Sequence, residues 1–294
     1  MTPTDPAERR ALASPEEQVA ASDLPPVLAR LWGRVPGPRR GPKPALTVEQ
    51  VVQAAVDLAD AEGLPAVSMA RVAEALGYTP MALYRYVESK DELLVLMADA
   101  AADVLALPPY DEGDWRAGLE AWTRAQIAGV LARPWFLDLP LTTAQVGPNR
   151  LRWIDRAFAI LAPLDLTVDE KLQVVGLLAQ HVLGEGRVQV ETRRAAAEAV
   201  RRAQGLPADT PEADLDADAV AAANPYADYE LVLTRLVDPE TYPALTGALS
   251  TWTPTAVQPD DWESDIGFGL DILLDGIEAF VARRAAVRGA ADRD

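Results

Sequence analysis

The chain has no cysteine, a single histidine and no unbroken apolar run long enough to cross a bilayer. Without thiols there can be no disulfide, no thiolate zinc site and no cysteine nucleophile. One histidine leaves little material for a nucleophilic triad or a metal cluster, and the Asp and Glu pairs fall at helix caps or on solvated faces. GFG at 267–269 follows no strand and lacks a third glycine, and GEG at 184–186 fails in the same way, so neither reads as a dinucleotide loop. No enzyme is expected, and no catalytic residue, metal ligand or cofactor is assigned. The N-terminus does not combine basic residues with an apolar run, so the expected compartment is the cytosol, with no membrane partner.

What is present suits a folded protein of two domains: 294 residues, 49% of them hydrophobic, with helix-period patterns over most of the length. The fold class expected is all-α. The net charge of −18 is unevenly spread: between Arg30 and Lys90 there are 8 Lys and Arg against 6 Asp and Glu, a net of +2, which leaves −20 on the rest. An acidic body with a near-neutral head would be repelled from polyphosphate everywhere but at the head; an acidic surface also simply keeps a protein in solution, and composition does not choose between the two.

The densest information lies in residues 47–97. Thr47 with Gln50 makes a capping box for a first helix whose Val48, Val51, Val52, Ala55, Val56 and Ala59 share one face and which ends at Gly63. Ser68 caps a second helix with Val72, Ala73 and Leu76 inward, and Gly77 supplies a sharp turn. Thr79 caps and Pro80 starts a third. Ser89 with Glu92 makes a second box, opening a fourth helix through Leu93, Leu94, Leu96 and Met97. On the third helix Leu83 and Val87 are the buried stripe, which turns Met81, Ala82 and Arg85 outward with Tyr84 on the flank. A short outward helix after a glycine turn is what enters a major groove.

In LTVEQVVQAAVDLADAEG, VAEALGYTPMALYRYV and SKDELL the sequence resembles the TetR family of transcriptional regulators. The resemblance implies a homodimer, an N-terminal helix-turn-helix head, and a C-terminal domain with a small-molecule pocket and the dimer interface. It places phosphate contacts at Tyr84 and Lys90, to which the Ser68 hydroxyl at its helix terminus adds another. Arg85 would read guanine, Met81 and Ala82 would touch thymine methyls, and Tyr86 would pack or reach a phosphate. Pro80, Met81 and Ala82 replace the polar readers of many relatives, so direct readout is expected to be sparse, with Thr79 at the helix start beside them. The functional reading is a repressor that binds a near-palindromic operator as a homodimer and is released by a small molecule. The alternative is a helical scaffold without sequence-specific DNA binding.

Around this head, residues 1–45 read as a flexible extension, 46–95 as the DNA-binding domain, 96–286 as the ligand-binding and dimerisation domain, and 287–294 as a tail. Within the extension, Leu24 to Trp32 is an apolar island suited to a short helix on the body or on a partner. Arg39, Arg40 and Lys43 form either a minor-groove arm or a solvated linker. In the body, helices are expected at Trp115 to Leu131, Asn149 to Leu161, Thr167 to about Gln204, Tyr226 to Val237, Pro239 to Leu249 and Glu263 to Arg284, with 205–224 an acidic loop. Leu172, Val175, Ala179 and Val182, and Ile266, Leu270, Leu273 and Ile277, form stripes that suit either a second copy or the chain's own core. Trp115, Trp122, Trp135, Phe136, Trp153 and Phe158 concentrate aromatic area that suits a pocket wall or an ordinary core, and His181 could donate to a ligand.

Overall fold

The computed structural model describes residues 24–33, 46–103, 105–140, 147–223, 232–252 and 262–291, the side chains of 262–265 and 287–291 excepted, and among these there is helix and no strand. A first compact unit runs to Pro163 and a second begins at Leu164. The first holds α1 (Pro26–Leu31), α2 (Val48–Glu62), α3 (Met69–Leu76), α4 (Pro80–Leu83), α5 (Lys90–Asp103), α6 (Trp115–Ala132) and α7 (Pro148–Ile160). The second holds α8 (Val168–Gln204), α9 (Ala217–Ala222), α10 (Pro243–Leu249) and α11 (Trp262–Ala291).

The head folds as its local signals dictate. Thr47 Oγ1 accepts from the Gln50 N–H at 3.2 Å while the Gln50 side chain accepts from the Thr47 N–H at 2.9 Å, so α2 starts with both donors satisfied. Its inward face, Val51, Val52, Ala55, Val56 and Ala59, joins Val72, Ala73, Leu83, Val87, Leu93 and Met97 in one core. Each fully buried Val or Leu there contributes about 1.5–3 kcal/mol.

The compact units divide at residue 163, well past the end of the head, and α5 shows why. Its Leu93, Leu94, Leu96 and Met97 belong to the head core, whereas Asp99, one turn on, is buried beneath the start of α7. The Asp99 carboxylate accepts from the backbone N–H groups of Arg150 at 3.0 Å and Asn149 at 3.3 Å, which gives α7 the cap its own Gly147 cannot supply. Gly147 is required for space: a Cβ there would stand 2.2 Å from the Asp99 carboxyl carbon. A 3-10 turn, Pro134–Asp138, ties α6 to the head in turn. Its Trp135 Nε1 donates to Asp60 Oδ1 on α2 at 2.6 Å, and Arg133 pairs with the other oxygen at 3.1 Å.

In the second unit Thr167 and Glu170 close the expected capping box at the start of α8. The Thr167 backbone N–H, and after it the Arg284 guanidinium of α11, hold the Glu170 carboxyl below its usual range against the opposing effect of desolvation. The expected irregular loop at 205–224 is instead largely ordered: a 3-10 turn at Glu212–Asp214 and α9 follow, and Leu215 packs on Ala197 and Val200 of α8. Leu215, with Ala219, Val220 and Ala223 beside it, fastens this Ala- and Asp-rich segment. The expected helix at 226–237 overlaps residues outside those described, with a helical turn at 232–235. The helix expected from Pro239 begins only at Pro243, because the Asp238 carboxylate accepts from the N–H groups of Glu240 and Thr241 and makes a local turn. No helix among the described residues is long and apolar enough to cross a membrane.

Candidate nucleic-acid interface

The turn between α3 and α4 is closed by Gly77 at φ 74°, in the left-handed region that disfavours any side chain. Gly77 N–H bonds to Glu74 O at 3.0 Å and Tyr78 N–H to Ala73 O at 2.9 Å, the paired bonds of a Schellman ending. The chain then re-enters helix at Pro80. Thr79 occupies the cap position, but its side chain makes no capping bond, contrary to expectation; Pro80 has no N–H and its fixed φ starts the turn without it.

α4 is short, and its backbone bonds are of mixed length, with Tyr84 N–H to Pro80 O at 3.3 Å and Arg85 N–H to Ala82 O at 3.4 Å against Ala82 N–H to Thr79 O at 2.9 Å and Tyr86 N–H to Leu83 O at 2.8 Å. Four residues cannot hold a helix alone, so its pose is set from outside. Leu83 and Val87 are fully buried and anchor it from behind. On the other side Met81 is 76% exposed, Tyr84 46% exposed, and Arg85, Thr79 and Lys90 lie exposed, with Ala82, Tyr86 and Ser68 half-buried. Among the described residues the side chains of Arg85 and Lys90 make no ion pair or hydrogen bond. Two exposed cations thus stand unpaired among the described residues, Arg85 just past α4 and Lys90 at the start of α5. Ser68 Oγ accepts from Arg71 N–H at 3.2 Å, which leaves its hydroxyl proton to donate outward. Tyr86 packs against the head core. Arg39, Arg40 and Lys43 lie outside the described residues.

Other charges of the head are neutralised internally. Arg71 makes a bidentate pair with Glu62 at 2.6 and 2.7 Å, and that hydrogen bonding holds the Glu62 carboxyl below its usual range. Arg30 of α1 reaches three acceptors: Glu92 Oε1 at 2.6 Å, the Tyr86 carbonyl at 2.6 Å and Glu88 Oε1 at 3.1 Å. The apolar island of the extension therefore packs on the head, with Leu31 against its core. Glu92 completes only half of the expected box: Ser89 Oγ accepts from its N–H, but its carboxylate turns to the Glu88 N–H and to Arg30. Nothing in sequence separations of 58 and 62 residues announces this clamp.

The aromatic residues of the body divide. Trp122 and Trp153 are buried with ring centroids 6.4 Å apart, and both indole N–H groups are satisfied by backbone, Trp122 by Trp153 O at 2.9 Å and Trp153 by Ala102 O at 3.3 Å. Trp135 is buried in the head core with Phe136 against it. Trp115 and Phe158 are half-buried on α6 and α7. In the second unit, His181 Nε2 is buried without a hydrogen-bond partner among the described residues, and its Cε1 stands 3.3 Å from where a Cβ on Gly269 would be.

The stripes expected to meet a second copy lie mostly inside a single chain. Val175, Val182, Ile266, Leu270 and Ile277 are buried, Leu273 and Ala179 are half-buried, and only Leu172 is open. The face left exposed runs instead through Val168, Leu172, Gly176 and Leu183 on α8 and Phe268 and Ile272 on α11. Seven-residue periodicity marks a stripe but not the side on which it is covered.

Two family models match: the one described as bacterial regulatory proteins, tetR family, covers residues 51–97, and the one described as tetracyclin repressor-like, C-terminal domain, covers residues 107–281. The chain is 34% identical over 273 residues, 92% of each chain, to the HTH-type transcriptional repressor DrrR1 of Streptomyces coeruleorubidus. Among solved structures it is similar to a possible TetR family transcriptional regulator from Streptomyces coelicolor A3(2), with TM-score 0.53, 28% identity and coverage of 79% of this chain and 99% of that one. It shares its fold with Streptomyces coelicolor ActR in complex with actinorhodin, with TM-score 0.62, 23% identity and coverage of 81% of this chain and 98% of that one. With a helix-turn-helix head in its first unit and a C-terminal model that spans more than half its length, the chain belongs to the TetR family of transcriptional regulators.

Proposed function

We propose that the protein is a repressor that binds a near-palindromic operator as a homodimer through α4 and is released by a small molecule. The observation that carries this is the two-sidedness of α4: Leu83 and Val87 have no exposure, while Arg85, Met81 and Tyr84 stand outward with Arg85 unpaired among the described residues. An outward guanidinium can bond guanine O6 and N7 in a major groove, and Tyr84, Lys90 and Ser68 position the head on phosphates. Naming of the 34%-identical relative as a repressor supports the same reading.

Dimerisation through α8 and α11 is supported by the apolar face that one chain leaves open. On α11, Ile266, Leu270 and Leu274 face inward, while Phe268 is 72% and Ile272 55% exposed on the opposite side. A helix apolar on both sides needs cover on both. Gly176 on α8 and Gly276 on α11 have open space where a side chain would be, which permits close helix approach. The effector reading rests on the His181 Nε2 in the second unit, since a buried polar atom without a hydrogen-bond partner among the described residues calls for one. An effector that favours a different separation of the two heads lowers DNA affinity, and the operator in turn lowers effector affinity by the same factor. The test is selection of duplexes from a random-sequence library by the full-length chain, followed by footprinting. Enrichment of a two-fold-symmetric site is the expected result; recovery of no sequence preference would leave the scaffold reading in its place.

A further inference from the structure

We propose that Arg30 is a positioning residue for DNA recognition and that α1, outside the region matched by the DNA-binding family model, is a working part of the head. The inference rests on the reading of α4 as the recognition helix. Recognition needs α4 to be held, and a helix of four residues cannot hold itself in place. In the turn that follows α4, the Tyr86 carbonyl lies beyond the helix end, and Arg30 Nη1 donates to it at 2.6 Å. The same guanidinium donates through Nε to Glu92 at 2.6 Å, and Glu92 accepts with its other oxygen from the Glu88 N–H, also at 2.6 Å. One side chain thereby ties the end of α4, the turn at 87–89 and the first turn of α5 into one rigid piece. That piece carries Tyr84 and Arg85 at one end and Lys90 at the other.

The clamp also acts on charge. Glu88, with its side chain 66% exposed, stands two residues from Lys90 on a surface that must approach phosphates, and Arg30 Nη2 sits 3.1 Å from it. Glu92 is nearly buried, and without Arg30 its carboxylate would lose its charged partner. Arg30 itself is only 16% exposed at the side chain, turned into the head, so its effect on DNA is exerted through α4 and α5 and not by touching a phosphate. A lysine cannot replace it, because one ammonium does not match three acceptors spread over a planar fork.

The experiment uses the full-length chain and the duplex it selects from a random-sequence library, titrated at several salt concentrations, with the active fraction counted by stoichiometric titration. Arg30→Ala and Arg30→Lys should each weaken specific binding by roughly tenfold or more, the loss of charge-assisted bonds that hold the reading surface. Weakening should be greater on the selected duplex than on a scrambled one, with the wild-type salt slope and active fraction, because no phosphate contact is removed. Glu88→Gln, which leaves the Tyr86 and Glu92 bonds in place and removes an anion from a surface that approaches phosphates, should bind at least as tightly as wild type, and a loss as large as that of the Arg30 variants overturns the proposal. Wild-type affinity in both Arg30 variants overturns the proposal, as does a reduced salt slope or an equal loss on both duplexes. Should Arg30→Ala fold poorly, Arg30→Lys keeps both charge and stem and decides the matter on its own. A wild-type chain that enriches no sequence would sink the DNA-binding reading, a result distinct from one in which it binds and the Arg30 variants bind equally well.

Discussion

The head and the second unit finish their surfaces differently. In the head the branched aliphatic residues such as Leu83, Val87 and Leu93 are inside, and what stands open on α4 and the turns up to α5 is one methionine, Met81, with Tyr84 and two cations, Arg85 and Lys90, unpaired among the described residues. In the second unit Leu172, Leu183, Phe268 and Ile272 remain exposed although both helices already bury a full stripe. The head is thus complete as a folded object and incomplete electrostatically, as a surface for a polyanion should be. The second unit is electrostatically acidic and incomplete in its packing, which suits a partner with the same apolar face.

The sharpest way to break this contrast is to make the open apolar face of α11 polar. Phe268→Glu with Ile272→Glu should convert a dimer to a monomer in sedimentation velocity while leaving the helical signal intact, since neither side chain is part of the buried stripe. Operator affinity should fall about 10²–10⁴-fold, the gain lost when two linked heads become two independent ones. A dimer that persists would move the interface elsewhere. The matching change in the head, Leu83→Ala, removes a fully buried anchor and should lower unfolding free energy by about 2–5 kcal/mol in urea titration. Its cost should be independent of dimerisation, which separates the two regions.

What was legible beforehand follows the same division. Signals that act within one turn were readable: the Thr47–Gln50 and Thr167–Glu170 boxes and the Gly77 turn form where their residues stand. So was the sidedness of α4, because Leu83 and Val87 are four apart and nothing else on that helix is both apolar and able to share their face. Contacts set by distant segments were not. Arg30 meets Glu92 across 62 residues, and Trp135 meets Asp60 across 75, so that of the two readings open for this aromatic residue, pocket wall or ordinary core, it is the core of the head that holds it. On α11 the apolar residues at 266, 270 and 277 and those at 268 and 272 are equally periodic; only packing against α8 decides which set faces inward. Short α9 escaped because it packs on α8 through small residues, Ala219, Val220 and Ala223, beside Leu215, too few and too weakly apolar to mark a stripe.

Within the head the comparison sharpens to two cations that look alike in isolation and should behave differently. Arg85 lies on the outward side of α4, and Arg85→Ala should lose about 1–3 kcal/mol in competition between the selected duplex and one altered at a single base pair, with little change on unrelated DNA. Equal losses on every sequence would remove it from base reading and leave specificity to groove shape.

Lys90 opens α5, past the turn at 87–89, and under the proposed reading it meets a phosphate and no base edge. Lys90→Ala should therefore weaken all duplexes alike, by less than the Arg85 effect on the preferred site, and reduce the slope of log affinity against log salt by about 0.9 per half-site. Two half-sites in a dimer double that change, whereas a monomer produced by the α11 substitutions should show it once. A Lys90 variant whose slope matches wild type in both backgrounds would mean that α5 does not approach the backbone, and the head would have to dock by α4 and α3 alone.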